Sequence, residues 1–121
     1  MSNLAECPCS GETLPRLLRP GIMALLARGE THGYQIARQL SRMQLFTGRA
    51  PDPPGIYRAL KEMSDEGLAT SAWRQTEAGP AKRIYALTED GRKCLDTWLA
   101  TLHEYRDAIN ELLALLRRAR R

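Results

Sequence analysis

Apolar residues return every three or four positions along much of this chain, the period of helices with one covered face. Ile22, Leu25 and Leu26 make the first such stripe. It opens near Pro15 or Pro20, where a proline's missing N–H needs no partner, and closes at Gly29. A second stripe of Tyr34, Ile36, Ala37 and Leu40 predicts a helix over residues 33–43, with Thr31 as a nearby cap and Arg38 and Arg42 off the apolar face. Residues 44–51 read as a loop anchored to the core by Leu45 and Phe46. Asp52, Pro53 and Pro54 then form a strong helix start, a cap acceptor followed by proline in the first turn. Ile56, Leu60 and Met63 set its core face. Gly55, Arg58, Lys61 and Glu62 fall on the opposite side, Tyr57 lies at the boundary, and Gly67 stops the helix.

The period next shortens to two. Residues 68–74 and 82–87 read as strands, with Tyr85 and Leu87 inward and Ile84 and Ala86 on the other face. The link, residues 75–81, should turn at Gly79-Pro80. Thr88 caps a last helix, with Glu89 and Asp90 suited to its positive end. Along that helix Leu95, Trp98, Leu102, Tyr105, Ile109, Leu112 and Leu116 recur at alternating steps of three and four, a heptad seam. At ~1.5 Å per residue the seam helix runs about 42 Å, longer than a small domain can cover. A second copy of the chain is the simplest cover.

These elements predict a mainly α fold with a small β-hairpin (α+β), a winged helix-turn-helix with a long C-terminal dimerisation helix. The expected layout is a flexible arm at 1–13, the winged domain at 14–88, the dimerisation helix at 89–116 and a basic tail at 117–121. A helix followed at once by a basic hairpin suits DNA: the helix enters the major groove and the hairpin grips flanking backbone.

Composition narrows the classes. With 121 residues, 43% of them hydrophobic and 26% charged, the chain reads as one globular domain and neither disordered nor membranous. No apolar run reaches the ~20 residues of a membrane span. The opening residues carry an acidic side chain and no apolar leader core, which places the protein in the cytoplasm. The net charge is +4, and the arginines at 117, 118, 120 and 121 match all of it. Charge placement, rather than total charge, must therefore carry any DNA reading.

The candidate chemistry follows. Arg58 and Lys61 read as base-edge or phosphate contacts, or as a solvated helix face; the hairpin that follows favours contact. Lys82, Arg83 and Arg74 read as phosphate contacts of the wing, or as charges that keep a hairpin soluble. Trp98 reads as a packed residue of the seam ahead of a wall for a flat ligand. Cys7 and Cys9 would supply four thiols in a dimer, the set that suits zinc or iron–sulfur, but their C-x-C spacing departs from the usual pattern. Cys94 reads as a small buried hydrophobe, and three cysteines argue against a disulfide framework. His32 reads as a cap or packing residue, and His103 as exposed. The arginine-rich end reads equally as an extra nucleic-acid grip or a solubilising terminus. With no P-loop, G-x-S-x-G or HExxH motif and two histidines, an enzyme is not expected, nor is a cofactor.

Three segments together resemble the PadR-like transcriptional regulators, winged helix-turn-helix proteins related to the MarR type. They are His32-Gly33-Tyr34 and its helix, GIYRALKEMSDEGL at 55–68, and KRIYALTEDG at 82–91. With the final helix the resemblance covers about residues 17–110. It implies a homodimer joined through the first and last helices, and a repressor released by a small phenolic or drug-like ligand. Carried over by position, Pro54, Gly55, Tyr57, Arg58 and Lys61 belong to the recognition helix, and Lys82 and Arg83 to the wing. Pro53-Pro54 stands where such helices usually begin with Ser or Thr. Glu62, Asp65 and Glu66 make the far end acidic, so base contacts are expected in the first two turns.

The expected function is thus a dimeric, sequence-specific regulator of transcription. Its partners would be double-stranded DNA with an inverted-repeat operator, a second copy of itself and a small aromatic effector. Two other classes remain: a winged-helix module that binds proteins without DNA, and a thiol or metal sensor acting through Cys7 and Cys9.

Overall fold

The computed structural model describes residues 8–11, 17–48 and 50–120; the predicted arm, Cys7 and Arg121 lie wholly or largely outside them. The described elements run α1 (Leu18–Arg28), β1 (Thr31–His32), α2 (Gly33–Ser41), α3 (Pro53–Asp65), β2 (Ala69–Thr76), β3 (Gly79–Leu87) and α4 (Glu89–Ala119). The three antiparallel strands lie in the order β1-β3-β2.

The core is where the helical stripes meet. Ile22, Met23 and Leu26 of α1, Ile36 and Leu40 of α2, and Ile56, Leu60 and Met63 of α3 are buried, with Ala69 and Tyr85 closing the sheet side. Burial of each large aliphatic side chain stabilises by roughly 1.5–3 kcal/mol, the main force holding a domain of this size together. Phe46, in a short 3-10 turn at Gln44–Phe46, anchors the loop as predicted, while Leu45 beside it is exposed. Tyr34 also departs from its predicted stripe: it is 65% exposed. The apolar face of α2 is carried by Ile36 and Leu40, one turn apart, with Ala37 packed beside them.

Local chemistry sets the element ends. The Asp52 carboxylate accepts from the Gly55 N–H at 3.1 Å and starts α3 at the two prolines. The α2 cap is His32 rather than Thr31: its Nδ1 accepts from the Gln35 N–H at 3.3 Å. Thr31 and His32 instead form β1, pairing with Tyr85 and Ile84. The hairpin is longer than its sequence signals. Gly79 and Pro80 lie inside β3, Glu77 and Ala78 make the turn, and a bulge sits between Arg74 and Thr76. The Thr76 hydroxyl holds the turn by donating toward the Gly79 and Pro80 carbonyls at 2.9 and 3.2 Å.

Thr88 joins the wing to α4. Its N–H donates to the Leu68 carbonyl at 3.1 Å and its hydroxyl donates to the Gly67 carbonyl at 2.7 Å. The same oxygen accepts from the Gly91 N–H at 3.0 Å. Gly91 is buried against this junction, and a Cβ there would lie 2.1 Å from the Leu68 carbonyl oxygen, so no side chain fits. The start of α4 is therefore pinned to the end of α3 through four residues of the predicted motifs.

Candidate nucleic-acid interface

The face of α3 opposite the core is open. Pro54, Tyr57, Arg58 and Lys61 are exposed, and Gly55 is half-buried beneath the Asp52 cap. Tyr57 is not a free surface ring. It packs across Gly33, where an added Cβ would lie 2.4 Å from the ring, so the glycine of the His-Gly-Tyr segment makes room for an aromatic on α3. Lys61 pairs with Asp65 one turn later at 3.0 Å, an exposed i,i+4 pair worth only a few tenths of a kcal/mol.

The acidic end of α3 has its own counterion. Arg19 of α1 binds Glu66 through both terminal guanidinium nitrogens and reaches Glu62 at 3.7 Å. The hydrogen bond to Glu66 holds the arginine above its ordinary range, and the same bond holds the Glu66 carboxyl below the usual carboxylate range. Two of the three acids thus pair with α1, and the third with Lys61. The first two turns of α3 are left without a carboxylate partner for Arg58 among the described residues.

The hairpin divides its cations between two faces. Cross-strand pairing puts Arg83 opposite Trp73, and Lys82 opposite Arg74. Residues opposite one another share a face and neighbours in sequence alternate, so Arg83 and Lys82 leave the sheet on opposite faces, although both residues border the groove between the hairpin and α3. Arg74 is engaged by Glu30 at 2.7 Å. Arg83 sits 5.9 Å from the Trp73 ring and 5.8 Å from the Tyr85 ring, and its Nε donates to the Ser71 hydroxyl at 3.0 Å.

Between α3 and the Arg83 face lies a groove of about 790 Å³, whose walls include Tyr34, Tyr57, Lys61, Trp73, Arg83 and Tyr85. His32 reaches the same groove; burial, then the charge of Lys82, push its imidazole below the ordinary value. The structure thus brings Tyr57, Lys61, Lys82 and Arg83 to one groove, while Arg74 is drawn to Glu30. Trp73 and Tyr34 line it too, though neither stands among the site residues expected from sequence. Trp73 had a readable signal, a large aromatic in a strand of otherwise small and polar residues.

On the far side, α4 uses its seam in two ways. Leu95 and Trp98 are half-buried against the core of their own chain, and Cys94 packs with them. Every residue from 103 to 120 is exposed, including Tyr105, Ile109, Leu112 and Leu116 of the predicted seam and Leu113 and Leu115 beside it. A second groove, of about 520 Å³, is lined by Leu17, Trp98, Leu102 and Tyr105. Cys9 is exposed, and no helix of the described residues is long and apolar enough to cross a membrane.

Known proteins share this arrangement. The negative transcriptional regulator PadR of Bacillus subtilis is 35% identical over 86 residues, 69% of this chain and 46% of its own length. The chain therefore spans about half of that curated relative. A crystal structure of B. subtilis PadR in complex with operator DNA is 32% identical with a TM-score of 0.61, covering 69% of this chain and 47% of that one. A transcriptional regulator of Thermoplasma acidophilum is 28% identical with a TM-score of 0.70, covering 81% of this chain and 91% of its own. The family model of the PadR-like transcriptional regulators matches residues 22–97, from the core of α1 through the wing to the Thr88 junction and the first turns of α4: the chain belongs to the PadR-like family.

Proposed function

We propose that this chain is a dimeric, sequence-specific DNA-binding repressor acting in the cytoplasm and released by a small aromatic ligand. The supporting observation is the pairing of an exposed α3 face with a basic wing on one side of the fold, in a chain similar to a protein crystallised with operator DNA. Pro54, Gly55, Tyr57, Arg58 and Lys61 face the major groove. Arg58, with no carboxylate partner among the described residues, is the residue to read a base edge, a contact worth roughly 1–3 kcal/mol of discrimination. Arg83 and Lys82 reach flanking phosphates, and Arg74 joins them once it leaves Glu30.

The exposed half of α4 supports the dimer. Tyr105, Ile109, Leu112 and Leu116 continue the seam that Leu95, Trp98 and Leu102 begin, so a second copy would cover them. Two recognition helices would then meet successive major grooves about 34–36 Å apart on an inverted repeat. The groove beside Trp98, at that seam, is the place for the releasing ligand.

Fluorescence anisotropy against the protein's own upstream DNA, at two salt concentrations and with Arg58→Ala alongside, tests the reading. Tight, salt-sensitive binding that loses sequence preference in the variant supports it. Affinity equal to that for random DNA and unchanged by the variant sinks it, and favours a winged-helix module that binds proteins.

A further inference from the structure

Two cations face each other near the end of the wing. Arg74 of β2 pairs in register with Lys82 of β3. They lie three residues before Glu77 and four after Ala78, the residues of the turn. Opposed residues share a sheet face, and like charges in that arrangement repel. A carboxylate offsets the repulsion. Glu30, in the link between α1 and β1, brings Oε1 to 2.7 Å from Nη1 of Arg74. The field of Lys82 extends to the same link. The imidazole of His32, two residues after Glu30, is pushed below its ordinary value first by burial and then by that charge.

Glu30 offers Arg74 what a DNA backbone would offer it, a negative oxygen that accepts a charge-assisted hydrogen bond. The guanidinium keeps other donors, since arginine carries five N–H groups. A phosphate drawn to them, however, would lie within a few ångströms of the Glu30 carboxylate. Two negative charges would then share one cation, so the phosphate either displaces Glu30 or is held more weakly because of it. The ion pair is open to water: the side chains of Arg74 and Glu30 are 59% and 50% exposed. Exposed pairs are weak and break readily. Glu30 therefore tempers phosphate binding at Arg74 and does not block it.

We propose that Glu30 is an internal stand-in for a DNA phosphate at Arg74, and that it sets the strength of the wing's grip on the duplex. In the free chain the carboxylate holds the arginine. On DNA the backbone takes its place and Glu30 turns to water. The inference deepens the DNA reading above and rests on it. Phosphate contacts carry no sequence information, so Glu30 weakens binding to an operator and to any other duplex by the same factor.

A double-mutant cycle on the full chain tests this, read by fluorescence anisotropy with a labelled duplex of random sequence at low and physiological salt. Glu30→Gln keeps the length of the side chain and removes its charge. It should bind about two- to fivefold more tightly than wild type, the factor that one exposed ion pair is worth. In an Arg74→Gln background the same change should lose most of that gain. Misfolding does not produce tighter binding, so a gain cannot arise from a damaged chain. No gain from Glu30→Gln, or an equal gain with and without Arg74, would overturn the proposal while leaving the DNA reading intact. Absence of salt-sensitive binding by both wild type and Glu30→Gln would overturn the two together.

Discussion

α3 and α4 are both amphipathic helices with Thr or Asp caps, but their apolar stripes meet different fates. Ile56, Ala59, Leu60 and Met63 of α3 are all buried within the chain. Of the 31 residues of α4, Gly91 alone is buried. The stripe of α3 is short, and α1, α2 and the sheet close over it. The stripe of α4 runs past the edge of the domain after Leu102, and among the described residues every position from 103 to 120 is exposed. Periodicity therefore states that a face is to be covered, while length states whether one chain suffices to cover it.

Substitutions can break the two helices apart experimentally. The largest effect is expected in α3: Leu60→Ala leaves a cavity in the core and should lower unfolding stability by about 2–5 kcal/mol, read as a drop in the urea midpoint. Gly91→Ala, at the foot of α4, should cost about 1–3 kcal/mol, because the new methyl meets the Leu68 carbonyl and the Leu87 side chain; calorimetry shows this as a lower Tm.

The His32 cap should respond to pH. Burial lowers the folded-state imidazole below its ordinary 6.5, so the unfolded chain takes up the proton first. Stability is thus complete above about pH 6.5 and declines as pH falls through the imidazole range. A protonated ring also loses the acceptor that caps α2, an interaction typically worth about 1 kcal/mol. Urea midpoints measured from pH 7.5 to 5.5 should fall in wild type, and the slope should flatten in His32→Asn, whose amide keeps an acceptor. The contribution of Glu66, whose carboxyl is held low by Arg19, is lost only at more acidic pH.

The smallest effect on the folded monomer should come from the end of α4. Ile109→Asp with Leu112→Asp changes two exposed positions and should shift monomer stability by only about 0.5 kcal/mol. The same pair should abolish self-association in analytical ultracentrifugation and remove any dependence of Tm on protein concentration. A dimer that survives both charges would refute the seam as the interface.

How far the sequence could be read depended on the range of each interaction. Asp52 and Thr88 were legible because a cap bonds to a residue three positions on. The fully buried positions of α3 were legible because the spacing of Ile56, Leu60 and Met63 fits one helical face. The turn was misplaced because Gly79-Pro80 is the strongest local turn signal, whereas the structure turns at Glu77-Ala78 and draws the pair into β3. There β1 has already ended, so on that side β3 is an edge, where a strand tolerates proline. β1 itself was hidden, since two residues show no period and their partners lie more than 50 positions away. The groove was hidden for the same reason. Tyr34, Tyr57, Trp73 and Arg83 come from α2, α3, β2 and β3, and only the folded chain sets them side by side.

The Thr88 junction has a mechanical consequence. α4 is a rod of about 46 Å at 1.5 Å rise per residue, hinged at its Thr88 cap to the residues just after α3 by two hydrogen bonds, to Gly67 and Leu68. With the far end of the rod clasped in a dimer, the junction acts as the fulcrum of a lever. If α3 reads DNA as proposed, a tilt of a few degrees there would swing its far end, about 20 Å away at 1.5 Å per residue, by about 1 Å against the duplex. On that proposal, the angle held by Thr88 and the missing side chain of Gly91 would be the gauge of operator spacing, fixed about 30 positions away in sequence from Arg58.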